Sequence, residues 1–161
     1  MAFPAPIISQ PYAIEKQWID YNGHFNMAYY NVLFDRDSDV ALGLLGLGPA
    51  YVKRTGNSYF TLEVHVSYLR ELHVDDMVTI ATHILDFDSK RLHYVQTMQH
   101  ATQGWTACIT ENMIMHVDMA TKKSAAMPAD ILEKIKIAYE AHKTLPVPLQ
   151  VGHKIGIPRK T

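Results

Sequence analysis

The spacing of the apolar residues changes period partway along this chain, and that change limits the folds open to it. From about Asn26 to Leu45 the spacing is helical. At about 100° per residue, Tyr30, Leu33, Phe34, Ala41, Leu44 and Leu45 share one face, while Asp35 and Asp39 fall near the opposite one. "GLGP" (Gly46 to Pro49) then stops the helix, with glycine for a left-handed cap and proline to prevent continuation. Beyond it the period falls to two. In "SYFTLEVHVSYL", Phe60, Leu62, Val64, Val66 and Tyr68 alternate with Tyr59, Thr61, Glu63, His65 and Ser67, the pattern of a strand with one buried face.

Three more strand-like runs follow: "MVTIATHILDF", "RLHYVQTMQH" and "WTACITENMIMHV". "DSK" (Asp88 to Lys90) and "ATQG" (Ala101 to Gly104) read as the hairpin connections between them. "PADILEKIKIAYEAH" is a second, amphipathic helix with Ile131, Leu132, Ile135, Ala138, Tyr139 and His142 on one stripe. At the other end, a Pro-rich lead gives way to "PYAIEKQWI", a short strand. From about residue 145 the tail has no periodicity and is expected to run over the surface. There is no internal repeat and no linker, so 1–161 reads as one domain. Strands and helices do not alternate, which argues for an α+β fold in which a sheet curls around one apolar helix, not a doubly wound nucleotide fold.

With 161 residues the chain can bury such a core without staples. The formal net charge of -1 argues against nucleic acid as a partner, since phosphate binding needs a basic surface. No apolar run approaches the roughly 20 residues of a membrane span, and "MAFPAPIIS" lacks the features of a signal peptide. The lone cysteine, Cys108, excludes an internal disulfide and fits a reducing compartment. A cytoplasmic protein is expected.

The chemistry concentrates in "WIDYNGHFNMAYY", where a carboxylate, a glycine and a histidine stand where the helix is about to begin. Backbone N–H groups at a helix start lack intrahelical partners and, with the positive end of the dipole, can hold negative charge developing on an oxygen. Gly23 would let a ligand approach the backbone, and Asp20 could act as nucleophile or as general base for water. The competing reading is structural: Asp20 and Asn22 cap the helix and Gly23 makes a turn.

The stretch resembles the W-x-D-x-x-G-H-x-N-x-x-x-Y pattern of hotdog-fold acyl-CoA thioesterases of the 4-hydroxybenzoyl-CoA thioesterase type. With "SYFTLEVHVSYL", "KRLHYVQTM" and "ENMIMHVD", the similarity runs from about Tyr12 to Met127. It is nearest in look to the betainyl-CoA thioesterases of carnitine breakdown, although "HFNMAYY" departs from the continuation usual in the domain fused to carnitine dehydrogenases. The resemblance implies a long helix wrapped by a curved antiparallel sheet and an acyl-CoA substrate. It implies no cofactor or metal, and a homodimer or dimer of dimers whose active sites lie between protomers. It places Asp20 on the catalytic carboxylate and Gly23, His24 and Asn26 on the segment that polarises the thioester. A short polar or cationic acyl group is the leading substrate; medium-chain or aromatic acyl groups, or a non-catalytic acyl-CoA-binding module, are the alternatives.

Other residues carry two readings each. Glu63 and His65, two apart on a strand, are either a solvated face or an orienting carboxylate–imidazole pair near a subunit interface. Asp37 falls on the apolar stripe of the helix. It either competes with Asp20 as the functional carboxylate or belongs to a buried pair, with a histidine as one partner considered. Its place about 16 Å along the axis from Asn26 favours the second. Arg70, Lys90 and Arg91 at strand ends could meet coenzyme A phosphates, or be ordinary hairpin charges. Tyr29, Tyr30, Phe34, Tyr59 and Phe60 could hold a trimethylammonium group by cation–π attraction, with Asp37 as an anionic partner, or simply fill the core. "GLG" at Gly46 is no dinucleotide loop, "DFDSK" no EF-hand, and the histidines show no paired zinc spacing along the chain. Cys108 has no evident base partner and reads as buried and inert.

Overall fold

The computed structural model describes residues 3–157 and 159. Two short N-terminal strands, β1 (Ile7–Ile8) and β2 (Tyr12–Ala13), precede a single 3-10 turn at Lys16–Trp18 and the long helix α1 (Met27–Leu44). A short helix α2 (Pro49–Thr55) leads into β3 (Asn57–Tyr68), followed by β4 (Met77–Phe87), β5 (Arg91–His100), β6 (Thr106–Asp118), β7 (Lys123–Ser124) and α3 (Ala129–His142). All strand pairs are antiparallel, and the sheet order is β1-β4-β5-β6-β3, with β2 also on β4 and β7 on β6.

The helix α1 lies against the sheet through Tyr30, Leu33, Phe34, Asp37, Ala41 and Leu42. Two apolar clusters fill the space around it. One gathers Trp18, Phe25, Tyr30, Leu33 and Phe34 against Ile80, Met98 and Cys108; the other gathers Leu42, Leu45 and Tyr51 against Ile84, Leu92, Ile114 and the α3 residues Ile131, Ile135 and Ala138. Burial pushes the Cys108 thiol up to about 12, so it is an inert core side chain. Leu44, expected on the apolar face, is 51% exposed, and Leu42 takes its place. No helix among the described residues is long and apolar enough to cross a membrane.

Several local expectations are corrected. "PYAIEKQWI" forms a two-residue strand and the 3-10 turn instead of one strand. Pro49 does not merely end α1; it occupies the first turn of α2, where its missing N–H costs nothing. Gly46, at φ 90°, permits the turn between them, and a Cβ there would stand 2.7 Å from Ile131 Cδ1.

The strand β3 departs most from its expected pattern. Its pairing with β6 slips between Thr61 and Glu63, a bulge at Leu62. A bulge inverts which alternate residues face the core. Tyr59 packs on the α1 side before the bulge and Val66 packs there after it, so the predicted single apolar face is split between both sides. The strand is an edge of the sheet, and Phe60, Leu62, Val64 and Tyr68 are 44–53% exposed along it.

Candidate active site

The loop from Asp20 to His24 is closed on itself by an isolated bridge between Ile19 and Phe25. Asp20 N–H donates to the His24 carbonyl at 2.9 Å, and Gly23 N–H to the Asp20 carbonyl at 3.0 Å. The Asp20 carboxylate accepts from Asn22 N–H at 2.8 Å and, at a longer 3.3 Å, from His24 N–H. Both contacts fall on Oδ1. Gly23 sits at φ 81°, in the left-handed region, and a Cβ added there would meet no atom within 4 Å. The glycine is needed by the turn, and the surface over it is open.

This corrects the expected helix start. Asn26 is the N-cap, its Oδ1 accepting from Ala28 N–H at 2.9 Å, and the helix begins at Met27. The Gly23 and His24 amides therefore belong to a self-bonded loop ahead of the helix and are engaged with Asp20. Tyr29 N–H also bonds back, to the Asn26 carbonyl.

A cleft of about 520 Å³ opens over this loop, lined among others by Asp20, His24, Phe25, Asn26, Met27 and Tyr30 from the N-terminal side. Its far wall comes from the end of β3 and the loop after it: Tyr68, Arg70 and Glu71. The Tyr68 and Tyr30 rings meet edge-on, with centroids 5.2 Å apart and planes at 81°. Tyr68 Oη donates to the Met27 carbonyl at 3.1 Å, fixing its ring to the helix start. Burial pushes the Tyr30 phenol well above its ordinary range, so it stays neutral. Arg70 stacks its guanidinium 4.2 Å from the Trp105 ring centroid.

The other candidates separate. Lys90 and Arg91 lie at the hairpin joining β4 to β5, at the opposite end of those strands from Met77 and His100. Strands of this length span about 33 Å, so they cannot join Arg70 within one protomer, and Arg91 is bound to Asp88 (Nε–Oδ2 2.8 Å). Glu63 and His65 face away from Asp20. They line a separate cleft with the His93–Glu111 pair (2.7 Å) and the tail segment Gly152 to Lys154. Glu111 also accepts from Gly152 N–H at 2.7 Å, holding the tail across the sheet.

The aromatic set divides as well. Tyr29 stacks on Trp18 at 5.8 Å. Phe34 and Tyr59 line a smaller cavity between α1 and β3 with Asp35, Ser38 and Tyr94, where Tyr59 Oη donates to Asp39 at 3.1 Å. Phe60 is exposed on the edge strand. Of the five, only Tyr30 reaches the Asp20 cleft.

Asp37 is 2% exposed. Its carboxylate accepts from Thr82 Oγ1 at 3.0 Å and Gln96 Nε2 at 2.9 Å. Burial raises its pKa, against the opposing effect of those two donors. The structural pair is real, but its members are a threonine and a glutamine, with no histidine. Asp37 does not line the cleft over Asp20; it is buried between α1 and the strands β4 and β5.

Tyr68 and Glu71 are cleft residues that sequence reading did not single out. Tyr68 was visible only as one member of an alternating strand. Glu71, in "RELHVDD", lies in a charged loop whose return to the Asp20 loop depends on a long-range backbone bond, Phe25 N–H to the Leu72 carbonyl at 2.9 Å.

Comparison with known proteins shows the family to which this fold belongs. The sequence profile of the thioesterase-like superfamily matches residues 14–135. A betainyl-CoA thioesterase from Pseudomonas aeruginosa is 34% identical over 142 residues, covering 88% of this chain and 89% of that protein. An L-carnitine dehydrogenase/betainyl-CoA thioesterase from Rhizobium meliloti is 34% identical over 143 residues, 89% of this chain and 29% of that protein. A Staphylococcus aureus protein solved in complex with CoA superposes with a TM-score of 0.89 at 31% identity, covering 98% of this chain and all (100%) of that one. A hotdog fold with an acidic loop at the start of its central helix, matched over most of its length by this profile, identifies the chain as a thioester hydrolase belonging to the thioesterase-like superfamily.

Proposed function

We propose that this chain hydrolyses a short acyl-CoA with a cationic acyl group, betainyl-CoA foremost, in the cleft over Asp20. The observation that carries the reading is the presence, in one cleft, of a loop carboxylate and two nearly perpendicular tyrosine rings. The carboxylate supplies the nucleophile or the base that activates water. The half-exposed ring of Tyr68, set against Tyr30, supplies aromatic surface of the kind that holds quaternary ammonium groups. The names of the similar Pseudomonas and Rhizobium proteins support the same substrate.

A thioester suits such a site because its thiolate leaves without much help from a general acid. What remains is to polarise the carbonyl. The positive end of α1 at Met27 faces the cleft that Met27 lines. The His24 amide, held to Asp20 only by the long 3.3 Å contact, is the loop donor most easily transferred to a substrate oxygen. The stacking of Arg70 on Trp105 at the cleft supports a role for it in meeting a coenzyme A phosphate.

The active unit is a homodimer paired through β3, whose exposed apolar side chains and free edge need covering. Antiparallel pairing of two copies would bring the partner's Lys90 end of the sheet towards this cleft, which a single protomer cannot do. The lone buried Cys108 fits a cytoplasmic setting.

The test is release of free CoA from a panel of acyl-CoAs: betainyl, its neutral carbon isostere, medium-chain and aromatic. Preference for betainyl-CoA supports the reading. Preference for the medium-chain or aromatic member replaces the substrate but keeps the enzyme, and binding without CoA release makes the domain an acyl-CoA-binding module.

A further inference from the structure

We propose that His24, Glu71 and His73 form a site for a first-row divalent cation, zinc foremost, at the rim of the Asp20 cleft. Their spacing along the chain has no metal-binding signature; the fold assembles them. The Phe25–Leu72 backbone bond sets the loop carrying His24 beside the loop carrying Glu71 and His73. One potential ligand atom from each of the three then lies within 4.8 Å of the others. His24 Nε2 is 3.3 Å from Glu71 Oε2, and the two imidazole rings stand 5.8 Å apart at 79°.

His73 is also backed by a carboxylate. Asp76 Oδ2 accepts the His73 backbone N–H at 2.9 Å and lies 3.9 Å from its ring Nδ1. At 3.9 Å the carboxylate is not bonded to the ring, but a turn of the imidazole would let Nδ1 donate to it, the arrangement that orients a metal-bound histidine. Two imidazoles and one carboxylate select zinc, cobalt or nickel over magnesium and calcium, which take oxygen ligands. Three protein ligands leave a coordination position open to water.

Around bound zinc, donor atoms stand about 3.3 Å apart, given bonds of about 2.0–2.1 Å. The ion must therefore draw these side chains inward by rotation. Their exposed ends leave them free to do so: 41% for His24, 64% for Glu71 and 58% for His73.

An ion held here puts two positive charges beside Asp20. That lowers the basicity of the carboxylate and repels a cationic acyl group, so zinc should suppress turnover. This second consequence rests on the function proposed above; the binding itself does not.

The experiment is calorimetric titration of zinc into metal-free protein at pH 7.5, with cobalt absorption as an independent signal. One saturating site below roughly 100 µM is expected, weakened at least about tenfold in both Glu71→Gln and His73→Asn. His153→Asn, on the far face of the sheet, should leave it intact. Absence of saturable binding, or binding that neither of the first two variants alters, overturns the site. Turnover separates the rest. Zinc inhibition present in the wild type and lost in His73→Asn supports the inhibitory role, and zinc bound at this site with unchanged CoA release overturns it. A protein that binds zinc as described but releases no CoA from any acyl-CoA retains the metal site and loses the hydrolase reading.

Discussion

The Phe25 amide donates to the Leu72 carbonyl at 2.9 Å, and this one bond joins the two loops that build the cleft. On one side it fixes Asp20, Gly23 and His24; on the other, Tyr68, Arg70 and Glu71. Phe25 is itself buried against Tyr30, with ring centroids 4.3 Å apart, so the junction is anchored in the core.

Asp20→Asn should reduce turnover by about 10²-fold or more, the scale of losing a general base. The amide oxygen can still accept from Asn22 N–H, so the thermal midpoint should stay near that of the wild type. Asp37→Asn is the matched comparison, since Asp37 is sealed beneath α1 with Thr82 and Gln96. It should turn over within several-fold of the wild type. Steady-state CoA release from both variants checks the assignment; the reverse pattern would transfer catalysis to the helix carboxylate.

Stability should fall on acidification below pH 6.5. His142 is fully buried; its Nδ1 accepts from Ile84 N–H at 2.9 Å and its Nε2 contacts the Pro4 carbonyl at 2.7 Å. Burial lowers its pKa, and burial followed by the neighbouring His142 lowers that of His83. Above the ordinary value of 6.5 both are neutral, folded or unfolded, and contribute no pH dependence. Below it the unfolded chain takes up protons that the folded one resists, so stability is lost as pH falls, by at most about 1.4 kcal/mol per pH unit for each group. Urea midpoints from pH 8 to 5.5 measure the slope. A curve as steep in His142→Gln as in the wild type would remove His142 from the account.

The edge strand should be an interface. A 12-residue strand with Phe60, Leu62, Val64 and Tyr68 exposed is an open template for pairing. Sedimentation at micromolar concentration should show a dimer or larger, and Leu62→Lys should shift it towards monomer and reduce CoA release with it. A wild-type monomer with full activity would dismiss both the β3 interface and the shared site.

What was legible in the sequence was periodic. The α1 stripe apart from Leu44, the two hairpin turns and the α3 stripe through His142 stand where expected, the stripes because burial enforces their spacing. What was lost had one of two causes. The bulge at Leu62 is a single inserted residue, which no alternation pattern announces, and it puts Tyr59 and Val66, expected on opposite faces, on the same side. The Asp20 loop could be read as one unit because the carboxylate, the glycine and the helix cap are contiguous in the chain. Glu71 and His73 could not, because only the distant Phe25–Leu72 pairing makes them neighbours of His24. The partners of Asp37, Thr82 and Gln96, come from β4 and β5 for the same reason.

If the acyl group is betainyl, its fixed positive charge must be read within the cleft. The half-exposed Tyr68 offers aromatic surface there, set edge-on against the nearly buried Tyr30. A desolvated cation–π contact is worth about 2 kcal/mol, or roughly 30-fold. The neutral isostere, with carbon in place of nitrogen, has the same size and lacks only the charge. Its kcat/KM should therefore be lower by about that factor. Tyr68→Leu separates charge from shape, because it keeps apolar bulk at the half-exposed wall and removes the ring face. The variant should lose most of the preference for the cationic thioester while hydrolysing the neutral one nearly as before. Equal kcat/KM for the two thioesters in the wild type would mean that the cleft reads size alone, which removes the betainyl assignment and leaves a thioesterase of another short acyl-CoA.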